Sequence, residues 1–115
     1  MTTLYGISNC DTIKKAKKYL TDKNIAFTFH DYRKDGVDLA MLTEFAAHLD
    51  WQDLVNKRGT TYRQLSDEQK QSLNKDTALA LLVEQPAMIK RPVMTHDSQY
   101  YLGFKAAQYD EIFSV

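Results

Sequence analysis

Thiol chemistry is scarce in this chain: one cysteine, Cys10, among 115 residues. A lone thiol closes no internal disulfide, which suits a reducing cytoplasm better than an oxidising compartment. Net charge is missing as well. Fifteen Lys and Arg balance fifteen Asp and Glu, so no global field draws the protein onto nucleic acid or a membrane surface. No apolar run approaches the ~20 residues of a membrane span. The N-terminus lacks the cationic region and apolar stretch of a signal peptide. Glycine and proline are scarce, at four and two, and no repeat or low-complexity tract is visible. Hydrophobic content of 43% with 26% charged residues is an ordinary globular balance, enough for one core. The expectation is a cytoplasmic protein in which residues 1–115 make a single domain.

What is present has a readable order. Residues 3–7 read as a short buried strand. From Asp11 to about position 23, Ile13, Ala16 and Leu20 recur at helical spacing with lysines on the other face. Residues 25–32 alternate Phe27 and Phe29 with polar neighbours, a second strand. A strand, a helix and a strand form a βαβ unit, whose crossover implies parallel pairing. The middle changes character. Asp38 can cap a helix with an apolar face of Leu39, Leu42, Phe45, Ala46 and Leu49. Residues 51–55 read as a turn or short helix, and Lys57-Arg58-Gly59-Thr60 interrupts it. Ser66 and Gln69 have capping-box spacing, and Asp76 or Thr77 opens a further helix through Leu79, Leu82 and Val83.

The end returns to strands. Met88-Ile89-Lys90 reads as a short strand stopped by Arg91-Pro92. Residues 93–95 and 100–102 flank His96-Asp97-Ser98-Gln99, a four-residue hairpin connection. Gly103 breaks the pattern before a helix bearing Ala106, Tyr109, Ile112 and Phe113. The order βαβ, helical insert, ββα predicts an α/β fold with a mixed four-stranded sheet. The sheet-bearing core spans about 1–35 and 86–115, and the all-helical insertion about 36–85.

Cys10 sits where the first strand meets the first helix. A helix start presents unpaired N–H groups and the positive end of the macrodipole, and both favour a thiolate over a thiol. A core cysteine is the ordinary alternative, but polar Ser8-Asn9 and Asp11-Thr12 bracket this one. Lys14, one turn on, adds positive charge, while Lys15, Lys17 and Lys18 read as the wet face of the helix. Asn9 reads as the helix cap. The three histidines, His30, His48 and His96, have no ligand spacing to each other or to Cys10, so no metal site is expected. His96 reads as a solvent-facing turn residue, and the tyrosines and phenylalanines as packing. Pro92 interrupts a strand, and the pattern alone leaves its cis or trans state open.

Three ordered motifs carry a resemblance along essentially the whole chain. They are Tyr5-Gly6-Ile7-Ser8-Asn9-Cys10-Asp11-Thr12-Ile13-Lys14-Lys15-Ala16, Lys57-Arg58-Gly59-Thr60-Thr61-Tyr62 and Pro86-Ala87-Met88-Ile89-Lys90-Arg91-Pro92. The chain resembles the arsenate reductase (ArsC) family, glutaredoxin-dependent branch. Within it the likeness is to the small bacterial YffB-type subgroup, relatives of the Spx-type transcriptional regulators. The resemblance implies a thioredoxin-like fold with an all-helical insertion, and it makes Pro92 a cis-proline facing the cysteine.

It also implies a single nucleophilic cysteine, Cys10, working with three arginines that bind an oxyanion. Arg58 and Arg91 match the first two. The third falls at Lys105, which offers a compact point charge in place of a planar fork. Alone, Arg58 would read as a solvated surface arginine; Arg91 abuts Pro92 at a strand end. The regulator branch often carries Cys-x-x-Cys, and here the second place is Ile13, which excludes an internal dithiol switch. The implied activity is a thiol-dependent reductase with no bound cofactor, glutathione as co-substrate and glutaredoxin as a further partner. Arg58, Arg91, Lys105 and Lys14 form its anion site, with Asn9 and Pro92 in support. The rival implication is an Spx-like protein that docks on RNA polymerase without catalysis or direct nucleic-acid contact.

Overall fold

The structure is a computed structural model that describes residues 1–114. The chain forms two compact units, Met1–Asp31 with the segment from Arg91 onward, and Tyr32–Lys90.

The first unit holds the sheet. Its elements are β1 (Thr2–Gly6), α1 (Asp11–Asp22), β2 (Thr28–Asp31), β3 (Val93–His96), β4 (Gln99–Leu102) and α7 (Ala106–Phe113). The strands lie in the order β2-β1-β3-β4. β1 and β2 are parallel, as a helical crossover requires. β1–β3 and β3–β4 are antiparallel. Register then decides which side chains share a face. Leu4 pairs with Phe29 and Met94, and Met94 with Tyr101. Alternation puts this row on one side, where Ala16 and Leu20 of α1 and Tyr109 of α7 close the core. Phe104 stands edge-on to Tyr109, with ring centroids 4.8 Å apart, and Lys17 Nζ sits 3.7 Å above the Phe29 ring.

Several expectations in this unit need correction. β2 begins at Thr28, because Asn24 takes a left-handed φ of 57° and Ile25 still donates back to the Leu20 carbonyl at 2.9 Å. The hairpin loop is two residues, Asp97 and Ser98, both at positive φ, since His96 and Gln99 are a paired rung. His96 is therefore a strand residue and no solvent-facing turn residue. Its Nδ1 is hydrogen-bonded to Thr2 Oγ1 at 2.8 Å, and its ring meets Phe113 at 4.6 Å.

The second unit is helical: α2 (Leu39–His48), α3 (Trp51–Leu54), α4 (Thr60–Arg63), α5 (Asp67–Gln71) and α6 (Lys75–Glu84). Asp38 caps α2 by accepting from the Met41 amide at 2.9 Å, and Leu42 and Phe45 are buried while Leu39 is 53% exposed. The Ser66–Gln69 capping box is formed. The cap of α6 is Asn74, reciprocated by Thr77, and neither Asp76 nor Thr77. Met88-Ile89-Lys90 is no strand. Pro86 opens a 3-10 turn over Pro86–Met88, where its fixed φ and missing N–H cost nothing. Ile89 makes only an isolated bridge to Val55.

Candidate active site

Tyr5 pairs with Val93, and Val93 with Leu102. That rung fixes where three loops leave the sheet. Beyond Tyr5 the chain runs through Gly6 to Cys10; before Val93 it arrives through Arg91 and Pro92; beyond Leu102 it leaves through Gly103 to Lys105. All three lie at one end, the carboxyl end of β1. The Gly103 amide donates to the Pro92 carbonyl at 2.9 Å, so two of these loops are also bonded to each other. The Arg91–Pro92 bond is cis.

Cys10 is the N-cap residue of α1, extended at φ −138° and ψ 130°, and no side chain caps this helix. Its carbonyl accepts from the Lys14 amide at 3.0 Å. Asn9 is exposed and one position too early, so its expected capping role is corrected. The first-turn amides are thus left to solvent or to a bound anion beside the sulfur. Cys10 itself is half-buried and free. Asp11 lies in the first turn, where a carboxylate suits the macrodipole. Lys14 is exposed on the same turn.

Arg91 is half-buried, and its stem passes Gly6: Arg91 Cγ stands 3.9 Å from where a Cβ on that glycine would be. Lys105 is exposed at the N-cap of α7, again with no side-chain cap bond. Arg58 belongs to the second unit. It is exposed in the turn before α4, its amide donating to Asn56 Oδ1 at 3.2 Å. The sheet register therefore gathers the loops of Cys10, Arg91 and Lys105 at one end of the sheet. Arg58 lies outside that unit. Gly6 ends β1 with Ile13 and Arg91 beside it, and a glycine at a strand end carries no sequence signal of such neighbours.

Among the described residues, no group of three or more His, Cys, Asp or Glu is placed to hold a metal ion. No described helix is long and apolar enough to cross a membrane. A surface cavity of about 250 Å³ lined by Leu73, Thr77, Leu81 and their neighbours contains none of the predicted site residues.

Residues 5–112 match the family model described as the ArsC family. A protein of Haemophilus influenzae without an assigned function is 49% identical over 114 residues, covering 99% of this chain and 100% of its own. The solution structure of an arsenate reductase (ArsC) related protein from Brucella melitensis is 43% identical with a TM-score of 0.81, covering 99% of this chain and 95% of that one. The global transcriptional regulator Spx 2 of Bacillus anthracis is 26% identical over 111 residues, covering 90% of this chain and 80% of its own.

Proposed function

The chain belongs to the ArsC family, and from that premise we propose a thiol-dependent reductase in which Cys10 is the nucleophile and glutathione the co-substrate. The observation that carries this reading is the placement of Cys10. It caps α1 with no side chain competing for the first-turn amides, at the sheet end where the Arg91 and Lys105 loops also emerge.

The reaction balances without a bound cofactor. The Cys10 thiolate attacks the glutathione sulfur of a mixed disulfide. The old S–S bond breaks as the Cys10–glutathione bond forms, and the substrate thiolate leaves and takes a proton from solvent. With one cysteine in the chain there is no internal resolving thiol. A second glutathione, or glutaredoxin, then attacks the glutathione sulfur and releases Cys10 as thiolate. The net exchange turns one mixed disulfide and one thiol into the free substrate thiol and a disulfide of glutathione with that second thiol. With an oxyanion substrate the same thiolate displaces one oxygen as water, and a first glutathione displaces a second. Another thiol then attacks that glutathione sulfur, so that two thiols leave as a disulfide, two electrons pass to the central atom, and water releases Cys10.

In this reading Arg58, Arg91, Lys105 and Lys14 hold negative charge on the bound partner, with Asn9 and Pro92 shaping the loops beside it. Glutathione carries carboxylates, and a lysine serves one carboxylate as a point charge, whereas a tetrahedral oxyanion gains more from a fork. Lys105 in the third basic place therefore favours glutathione over arsenate as the anion this site receives. We place the reaction in a thioredoxin-like core of about residues 1–35 and 86–115, with 36–85 as the insertion, in the cytoplasm.

Similarity to an Spx regulator supports a second reading, a non-catalytic protein that docks on RNA polymerase. Intact-protein mass spectrometry after exposure to oxidised glutathione separates the two. The reductase reading expects one glutathione on Cys10 and its rapid removal by reduced glutathione or glutaredoxin. A Cys10 that stays unmodified, or an adduct that no thiol releases, favours the docking protein.

A further inference from the structure

We propose that Gly6 is a positioning residue: its bare Cα is the seat on which the first turn of α1, through Ile13, and the stem of Arg91 are held beside Cys10. The inference rests on the reading of Cys10 as the reacting thiolate and adds what fixes its surroundings.

A Cβ built on Gly6 would overlap Ile13 Cδ1, stand 2.9 Å from Ile13 Cγ1 and lie 3.9 Å from Arg91 Cγ. The first two distances are shorter than packed carbon atoms tolerate, and the third is ordinary contact. The backbone of Gly6 does not demand glycine, since its φ lies outside the left-handed region that Gly36 and Gly103 occupy. Room is the reason for the residue, a close approach that only a missing side chain permits.

Both neighbours matter to the sulfur. Ile13 is fully buried and three positions after Cys10, in the first turn of the helix that Cys10 caps. The Arg91 stem passes the same side of Gly6, with Cγ 3.9 Å from the Cβ position. A methyl on residue 6 therefore lifts the first turn or turns Ile13 over, while it meets the Arg91 stem at ordinary contact distance. Site groups lose effect when displaced by even about 0.5 Å.

Ile13→Val removes the Cδ1 that Gly6→Ala would overlap and leaves the 2.9 Å contact with the γ carbon, so the larger of the two clashes is relieved. The double variant thus moves one methyl from residue 13 to residue 6 at nearly constant volume, a swap that cores tolerate well. The two singles and the double make a cycle that isolates the contact.

The readout is the ratio of Cys10 alkylation rates with iodoacetate, an anion, and iodoacetamide, which is neutral. The thiolate fraction enters both rates and cancels, so the ratio reports positive charge held near the sulfur and is unmoved by a mere change in stability. Circular dichroism selects folded variants. Wild type should show a ratio above that of N-acetylcysteine amide. Gly6→Ala and Ile13→Val should each lower it, the former by about twofold or more as the charges draw away, and the double variant should recover most of the loss. Should Gly6→Ala fail to fold, Ile13→Val against the double variant carries the same comparison.

A high wild-type ratio that the single variants leave unchanged overturns the positioning role and leaves the anion site standing. So does a double variant whose loss is the sum of the singles. A wild-type ratio no higher than the reference compound's removes the anion site and the inference with it.

Discussion

Gly103 donates its amide to the Pro92 carbonyl at 2.9 Å, bonding the loop that ends in Lys105 to the loop that begins at Arg91. With Gly103 at φ 81°, a conformation suited to glycine, this contact sets the start of the segment from which Lys105 enters α7 as its N-cap residue. The two cationic positions are therefore coupled through backbone, and a change of head group at residue 105 need not disturb the path of the chain.

Lys105→Arg follows from that separation of chain path and head group. With glutathione as the anion, a point charge already serves one carboxylate. The substitution should leave glutathione-linked turnover within about twofold and confer no brisk arsenate reduction. Steady-state rates with each substrate check this. A large gain in arsenate reduction would show that the third position is meant to fork an oxyanion.

Arg91→Gln and Arg58→Gln test the proposed anion contacts separately. A charge-assisted hydrogen bond contributes about 1.5–3 kcal/mol, so each loss should lower kcat/KM for the glutathione adduct by about tenfold or more. If binding alone is affected, KM rises while kcat holds. An unchanged kcat/KM in Arg58→Gln would remove the second unit's arginine from the site.

The sequence made much of this legible, for physical reasons. Ile13, Ala16 and Leu20 are spaced for one helix face and all are buried, because only that face meets the sheet. The Ser66–Gln69 box formed as read, being a local hydrogen-bond pattern that needs no tertiary information. Misreadings arose where distant partners decide. Met88-Ile89 looked like a strand, but its backbone bonds go to the α3 region: the Asn56 amide donates to Met88 and the Lys90 amide to Leu54. His96 looked like a turn residue because its pairing with Thr2, 94 positions away, has no local signature. For the site, the strand-to-helix junction marked Cys10, while Arg91, Lys105 and the cis bond came through resemblance. Gly6 stands within the first motif, but neither its type nor its place in the motif tells that Ile13 packs against it.

Tyr19 donates a hydrogen bond to Asp110 across the α1–α7 contact. Burial, then that bond and the carboxylate's charge, push its phenol up to about 12. A phenol raised on folding contributes stability that is fully present below its unfolded value of about 10 and lost as pH climbs through the folded value. Melting temperature should therefore fall between about pH 10 and 12, and Tyr19→Phe should fall less steeply over that window. Tyr109, whose phenol burial also raises, keeps some slope in the variant. Parallel slopes in the two proteins would contradict the assignment.

Asp38→Ala removes the oxygen that accepts from the Met41 amide. Loss of an N-cap costs about 1 kcal/mol, so the urea midpoint should drop with the m-value unchanged. The fold should persist, because Leu42 and Phe45 still bury α2.

The central claim is that the Cys10 sulfur carries the chemistry. Its most direct test is steady-state reduction of a glutathione mixed disulfide, with reduced glutathione in excess, by wild type and by Cys10→Ser, both shown to be folded. A hydroxyl in place of the sulfur is nearly isosteric at a half-buried N-cap, so the fold should be kept while protein-dependent turnover falls to the uncatalysed rate. Turnover retained in folded Cys10→Ser, or no turnover above background in wild type, would contradict the account.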